Sequence, residues 1–101
     1  MPIGIKRTDG ELILEIAGEI DHHRTRFLRE ELDAAIRQTS AARVVLELSG
    51  TDFCDSSGLG LILGRARVCR ENGSELYIRD PSPRVKKLLE LAGAGEFVRY
   101  A

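Results

Sequence analysis

Cysteine is scarce in this chain. There are two, Cys54 and Cys69, fifteen positions apart, with no CxxC pair and no histidine at zinc-finger spacing. That pattern excludes a disulfide framework and a cysteine metal site, and it predicts two reduced thiols. An excess of charge is missing as well: 15 Lys and Arg stand against 16 Asp and Glu, a net charge of −1. No global field therefore favours nucleic acid or an anionic membrane, and binding has to come from a local site. No apolar run approaches the roughly 20 residues of a membrane span, and the N-terminus MPIGIKRTDG lacks the apolar core of a signal peptide. A cytoplasmic location is the expectation. Linkers, internal repeats and low-complexity tracts are absent too, so one domain over 1–101 is expected.

What is present suits an ordinary folded domain, with 43% hydrophobic and 31% charged residues over 101 positions. A chain of this length can bury roughly 65% of the surface its unfolded form exposes. Twelve of the fifteen cations are arginine, which offers forked contacts to acidic groups but equally suits a plain solvated surface.

Along the chain, Ile3 to Lys6 and Leu12 to Ala17 read as the strands of a hairpin turning at Thr8, Asp9 and Gly10. Leu12, Leu14 and Ile16 share the face that meets the core. Asp21 stands where an N-cap is needed for a helix running to about Gln38, whose stripe is Leu28, Leu32, Ala35 and Ile36. Its opposite face carries Arg24, Arg29, Glu30, Asp33 and Arg37, solvated and paired at i, i+4 as Arg29 with Asp33 and Asp33 with Arg37. The run Arg43 to Leu48 reads as a central strand covered on both faces. A loop, Ser49 to Asp55, leads into a helix from about Ser57 to Glu71, burying Leu59, Ile62, Leu63, Ala66 and Cys69 and ended by Asn72 and Gly73. Glu75 to Arg79 is the next strand. Ser82 and Pro83 then open a short helix, Arg84 to Leu91, with Val85, Leu88, Leu89 and Ala92 inward. Gly93 and Gly95 release the chain into a last strand, Phe97 to Tyr100. The fold class is therefore α/β: a small mixed sheet with an antiparallel N-terminal hairpin, its remaining strands mostly parallel, packed against helices.

Chemistry concentrates in Asp52 to Arg65, DFCDSSGLGLILGR. A hydrolase elbow, Gly-x-Ser-x-Gly, fails at Ser56, where Cys54 takes the first glycine's place, and at Ser57, flanked by Asp55 and Leu59. Only His22 or His23 could serve as its base. A dinucleotide fingerprint needs glycines in the tight turn after the strand, yet nine residues separate Leu48 from Gly58. Gly58, Gly60 and Gly64 lie inside the helix, where close packing on the sheet accounts for them. His22 and His23, neighbours pointing about 100° apart on a helix, have no third ligand spaced to join them. No cofactor and no metal is implied. Two readings of the turn stay open: a capping turn, for which Asp55, Ser56 and Ser57 all qualify, and a phosphorylatable switch at a helix start.

Taken together, the Asp-Ser-Ser-Gly turn in DSSGLGLILGR, Gly18-Glu19-Ile20-Asp21 before the first helix, RVVLELSG before the turn and SPRVKKLLELAG near the end resemble the bacterial anti-sigma factor antagonists, small STAS domains. The resemblance covers nearly the whole chain and implies a STAS-like fold. It implies that Ser57 is the phosphoacceptor of an anti-sigma factor with serine kinase activity, reset by a serine phosphatase, and that the domain is a substrate and not an enzyme. Asp21, His22, His23, Asp55, Ser56, Ser57, Gly58, Leu59 and Gly60 become the expected partner-binding residues, with no direct nucleic acid contact and no membrane. The alternatives are a STAS-type small-molecule or nucleotide sensor and a subunit of a transporter or lipid-transfer complex.

Overall fold

A computed structural model describes residues 3–101. Met1 and Pro2, which begin the segment read for a leader, lie outside the described residues. Five strands, β1 (Gly4–Thr8), β2 (Glu11–Ala17), β3 (Arg43–Gly50), β4 (Glu75–Arg79) and β5 (Arg99–Tyr100), form one sheet in the order β1-β2-β3-β4-β5. The β1–β2 hairpin is antiparallel and every other pairing is parallel, so the mixed sheet matches the expectation. The helices are α1 (Thr25–Arg37), α2 (Ser56–Glu71) and α3 (Pro83–Leu91), with a 3₁₀ turn at Ala94–Glu96 in most of the segment expected to lead into β5.

Strands added in sequence in one direction, each through a right-handed crossover, place all their helices on the same face. The register agrees. Leu12, Val44 and Leu76 align across β2, β3 and β4, as do Leu14, Leu46 and Ile78, and all six are buried in one cluster with Leu28, Leu32, Ile36, Ile62, Val85 and Leu89 from the three helices. The run in β3 was expected to be covered on both faces, and here the structure differs. Its second face carries no helix; Val45 is fully buried there beside Ile13 and Tyr77, under long charged neighbours. Arg43 lies 5.5 Å over the Tyr77 ring, and the pairs Lys6–Glu15, Arg43–Glu11, Arg79–Glu11 and Arg99–Glu75 lace the same face. Arginine stems cover apolar surface while their heads stay in water, so a second helical layer is not needed to bury one valine.

Helix ends follow local chemistry. Ser82 Oγ accepts from Val85 N at 3.2 Å with Pro83 at the first helical position, as expected. Ala92, expected to face inward, is exposed, because α3 ends at Leu91. Gly73 takes φ +83° to close α2, and the Asn72 amide donates to the carbonyls of Ile36 and Thr39 at 2.7 and 3.1 Å, completing the end of the neighbouring α1. Helix α1 begins at Thr25, three residues later than Asp21 as N-cap would dictate. Asp21 does cap, but its Oδ1 accepts from His23 N and Arg24 N in the turn that feeds the helix.

Candidate functional site

The site is built beyond the carboxyl ends of β2 and β3, where two loops are joined. Thr51 Oγ1 donates to Ile16 O at 3.0 Å and Gly18 N donates to Gly50 O at 2.8 Å, extending the parallel pairing past the strands. Ile20 N then donates to Phe53 O at 2.9 Å and Asp55 N to Ile20 O at 3.2 Å, an isolated parallel bridge between Ile20 and Cys54. Arg24 fastens the first loop by donating to the carbonyls of Ala17 and Glu19. The consequence is long-range. The turn after Ile20 comes to stand against the start of α2, more than 30 residues on, where His22 N donates to Asp55 Oδ2 at 3.3 Å.

Asp55 is the N-cap of α2, its Oδ1 accepting from Gly58 N at 2.9 Å. Helix α2 therefore starts at Ser56, one residue earlier than expected, and Ser57 is its second residue. Of the three candidate caps the aspartate takes the role. Ser56 and Ser57 are exposed, and neither hydroxyl makes a hydrogen bond among the described residues. A free hydroxyl at this place sits over the unpaired N–H groups and positive dipole end of a sixteen-residue helix.

The glycines divide. Gly58 is buried: a Cβ there would meet Ile20 O at 2.5 Å and Cys54 Sγ at 2.6 Å. Gly58, expected among the partner-binding residues, lies on the inner side of the first turn of α2, where the lack of a Cβ lets that turn settle on the loop bridge. Gly60 and Gly64 were expected to pack closely on the sheet, yet a Cβ at either would have nothing within 4 Å. They border an open groove between α1 and α2 of about 450 Å³, lined also by Thr25, Arg29, Ser57, Leu61, Arg65 and Arg67. Leu59 is partly buried against the core and Gly60 is exposed.

Helix α2 buries Leu61, Arg65 and Val68 in addition to the expected Ile62, Ala66 and Cys69, while Leu59 and Leu63 are only partly covered. A helix wedged between a sheet and another helix has two buried sides, so one stripe does not describe it. Arg65 is 5% exposed and its Nη1 lies 3.2 Å from Asp33 Oδ1 on α1, close but without hydrogen-bond alignment. Asp33 also pairs with Arg37 at 3.7 Å. The expected Arg29–Asp33 pair is not formed among the described residues; Asp33 turns towards α2 instead of solvent. Burial lowers the Arg65 pKa, Asp33 raises it, and Arg29, Arg37 and Arg67 lower it again.

Both thiols are free and buried, and burial pushes each up to about 11, so neither is a nucleophile near neutral pH. His22 and His23 are exposed with ring centroids 3.9 Å apart. Among the described residues no group of three or more His, Cys, Asp or Glu side chains is placed to hold a metal ion, and no helix is long and apolar enough to cross a membrane. Sequence reasoning missed Phe53, 39% exposed one residue before the bridge, and the groove residues Thr25, Arg29, Arg65 and Arg67. An aromatic inside a polar turn signals the first. Spacing signals nothing of the second, since the groove needs two helices.

Fold and site together define a small α/β domain that presents an exposed, unpartnered serine at a capped helix start. The chain belongs to the STAS domain family, whose model matches residues 3–100. It is 38% identical over 93 residues to the anti-sigma F factor antagonist of Paenibacillus polymyxa, covering 92% of this chain and 80% of that one. Among solved structures it resembles the anti-sigma factor antagonist SpoIIAA in its unphosphorylated form, with a TM-score of 0.79, 29% identity and coverage of 98% of this chain and 87% of that one. The Bacillus cell fate determinant SpoIIAA in its phosphorylated form aligns with a TM-score of 0.73 and 28% identity over 98% of this chain and 90% of that one.

Proposed function

We propose that this protein is a cytoplasmic anti-sigma factor antagonist whose docking to an anti-sigma factor serine kinase is switched off by phosphorylation of Ser57 and restored by a serine phosphatase. The observation that carries the reading is the division of labour at the start of α2: Asp55 makes the cap to Gly58 N, and the exposed Ser57 hydroxyl is left without a partner. A capping serine would have its hydroxyl engaged. The names of the relatives, which include an antagonist known in phosphorylated and unphosphorylated forms, support the same reading.

Asp21, His22, His23, Asp55, Ser56, Leu59 and Gly60 surround the acceptor as the docking face, with Phe53 as an aromatic anchor of the kind interfaces favour. Phosphate at Ser57 adds about −1.5 to −2 charges. At the second residue of a helix that charge faces unpaired N–H groups and the favourable end of the dipole, so the fold holds. In a docked interface the same charge costs on the order of 3–5 kcal/mol if unpaired, or roughly two to four decades of affinity. The domain is then acted upon and does not itself catalyse. Incubation with the cognate kinase and ATP is expected to add one phosphate, mapped by mass spectrometry to Ser57 and lost in Ser57→Ala. Modification at another residue, or undiminished modification of Ser57→Ala, contradicts the assignment.

A further inference from the structure

Three guanidinium groups, Arg29, Arg37 and Arg67, stand near enough to the buried Arg65 to repel its charge, and Asp33 is the carboxylate that opposes them. Arg65 and Arg37 each approach it, whereas Arg29 and Arg67 make no ion pair among the described residues. Arg65 lines the groove between α1 and α2, and its buried Nε has no hydrogen-bond partner, while Nη1 has only the poorly aligned Asp33 Oδ1 at 3.2 Å. A buried cation with unused donors is costly, and an excess of like charge around it adds to that cost. An anion in the groove relieves both.

Placement narrows the anion. Helices α1 and α2 follow parallel strands and run side by side in the same direction, so Thr25 and Ser57 lie at matching ends of the groove. Arg29 is one turn further along α1, and helical side chains lean back towards the N-terminus, which is towards Ser57. Gly60 and Gly64 leave the opposite wall without side chains. Arginine forks suit phosphoryl oxygens.

We propose that the groove is a phosphoryl-binding site, in which Arg29 and Arg67, above the fixed Arg65, hold a phosphate group beside Ser57. The phosphoryl group has two possible sources: phosphoserine 57 itself, which rests on the function proposed above, or a free phosphate or phosphate monoester.

Phosphoserine installed at position 57 during translation, without any kinase, tests the first source by phosphorus NMR. A free phosphoserine loses its second proton near pH ~6; held by arginine, it is expected to titrate about one pH unit or more lower and to return towards ~6 in Arg29→Ala. Asp33 and Asp55 push the titration upwards and His22, where protonated, only modestly downwards, so a large displacement removed by Arg29→Ala reports the arginine. The second arm adds inorganic phosphate to Ser57→Ala and follows the amides of Gly60 and Gly64. Saturable shifts lost in Arg29→Ala assign a free ligand. Arg29 is exposed, so its loss leaves the helical circular dichroism spectrum unchanged. Titration near ~6 together with no saturable shift overturns the site, as does either signal persisting in Arg29→Ala and in Arg67→Ala. Failure of the kinase to modify Ser57 would overturn the proposed function and leave both arms intact.

Discussion

Gly58 and Gly64 lie on the same helix and are glycine for opposite reasons. Gly58 faces a wall: a Cβ would stand 2.5 Å from Ile20 O and 2.6 Å from Cys54 Sγ. Gly64 faces open space. The tight side joins two loops distant in sequence and holds the start of α2 against them, so the position of Ser57 depends on it. The open side leaves room beside buried charge. A single helix thus carries a rigid support on one side and a binding groove on the other, and the two differ in what a mutation should do.

The largest expected effect lies on the groove side. Asp33→Ala leaves Arg65 buried without its counter-charge, which should destabilise by about 3 kcal/mol in a urea melt. Replacing both residues, as Asp33→Ala with Arg65→Met, should recover most of that loss, since the charge is removed with its partner. A small effect of Asp33→Ala alone would mean that the charge cluster is not buried as described. Next is Gly58→Ala, which forces the helix off the loop bridge and should cost about 1–3 kcal/mol, lowering the melting temperature by roughly 4–8 °C per kcal/mol. Gly64→Ala should act in the opposite direction, stabilising by about 0.5–1 kcal/mol because the site is helical and empty. Equal signs for the two alanines would erase the contrast. The smallest effect concerns the thiol beneath Gly58. Cys54 and Cys69, both pushed up to about 11 by burial, should resist alkylation in the native protein at pH 8 and react on unfolding. Their ordinary value is 9.0, so above that the unfolded thiols ionise first; this contribution to stability is present below pH 9 and is lost as pH rises towards about 11.

Local signals carried much of the fold. The alternation of Leu12, Leu14 and Ile16, the stripe Leu28, Leu32, Ala35 and Ile36, and the Ser82–Pro83 helix start all appear in the structure where the sequence pattern puts them. Each depends on neighbours within two turns. The order of β2 to β5, the single helical layer and the α1–α2 groove depend on pairings across 22 or more residues, and no local pattern encodes those. At the site, the resemblance joined Asp21 to the Ser57 turn, and the Ile20–Cys54 bridge is the physical reason for that proximity. Which residue caps α2 was undecidable from composition, since aspartate and serine cap almost equally well. Geometry settles it for Asp55, and that choice leaves Ser57 available.

In the proposed switch, charge at Ser57 changes docking and not folding. The direct measurement is the calorimetric affinity of the anti-sigma factor kinase for protein carrying phosphoserine at position 57, against the same protein with serine, each checked for helical circular dichroism. Phosphoserine at position 57 is expected to lower the affinity by roughly two to four decades with the helical spectrum unchanged. Equal affinities, or a weakened affinity that comes with a melted helix, would contradict it.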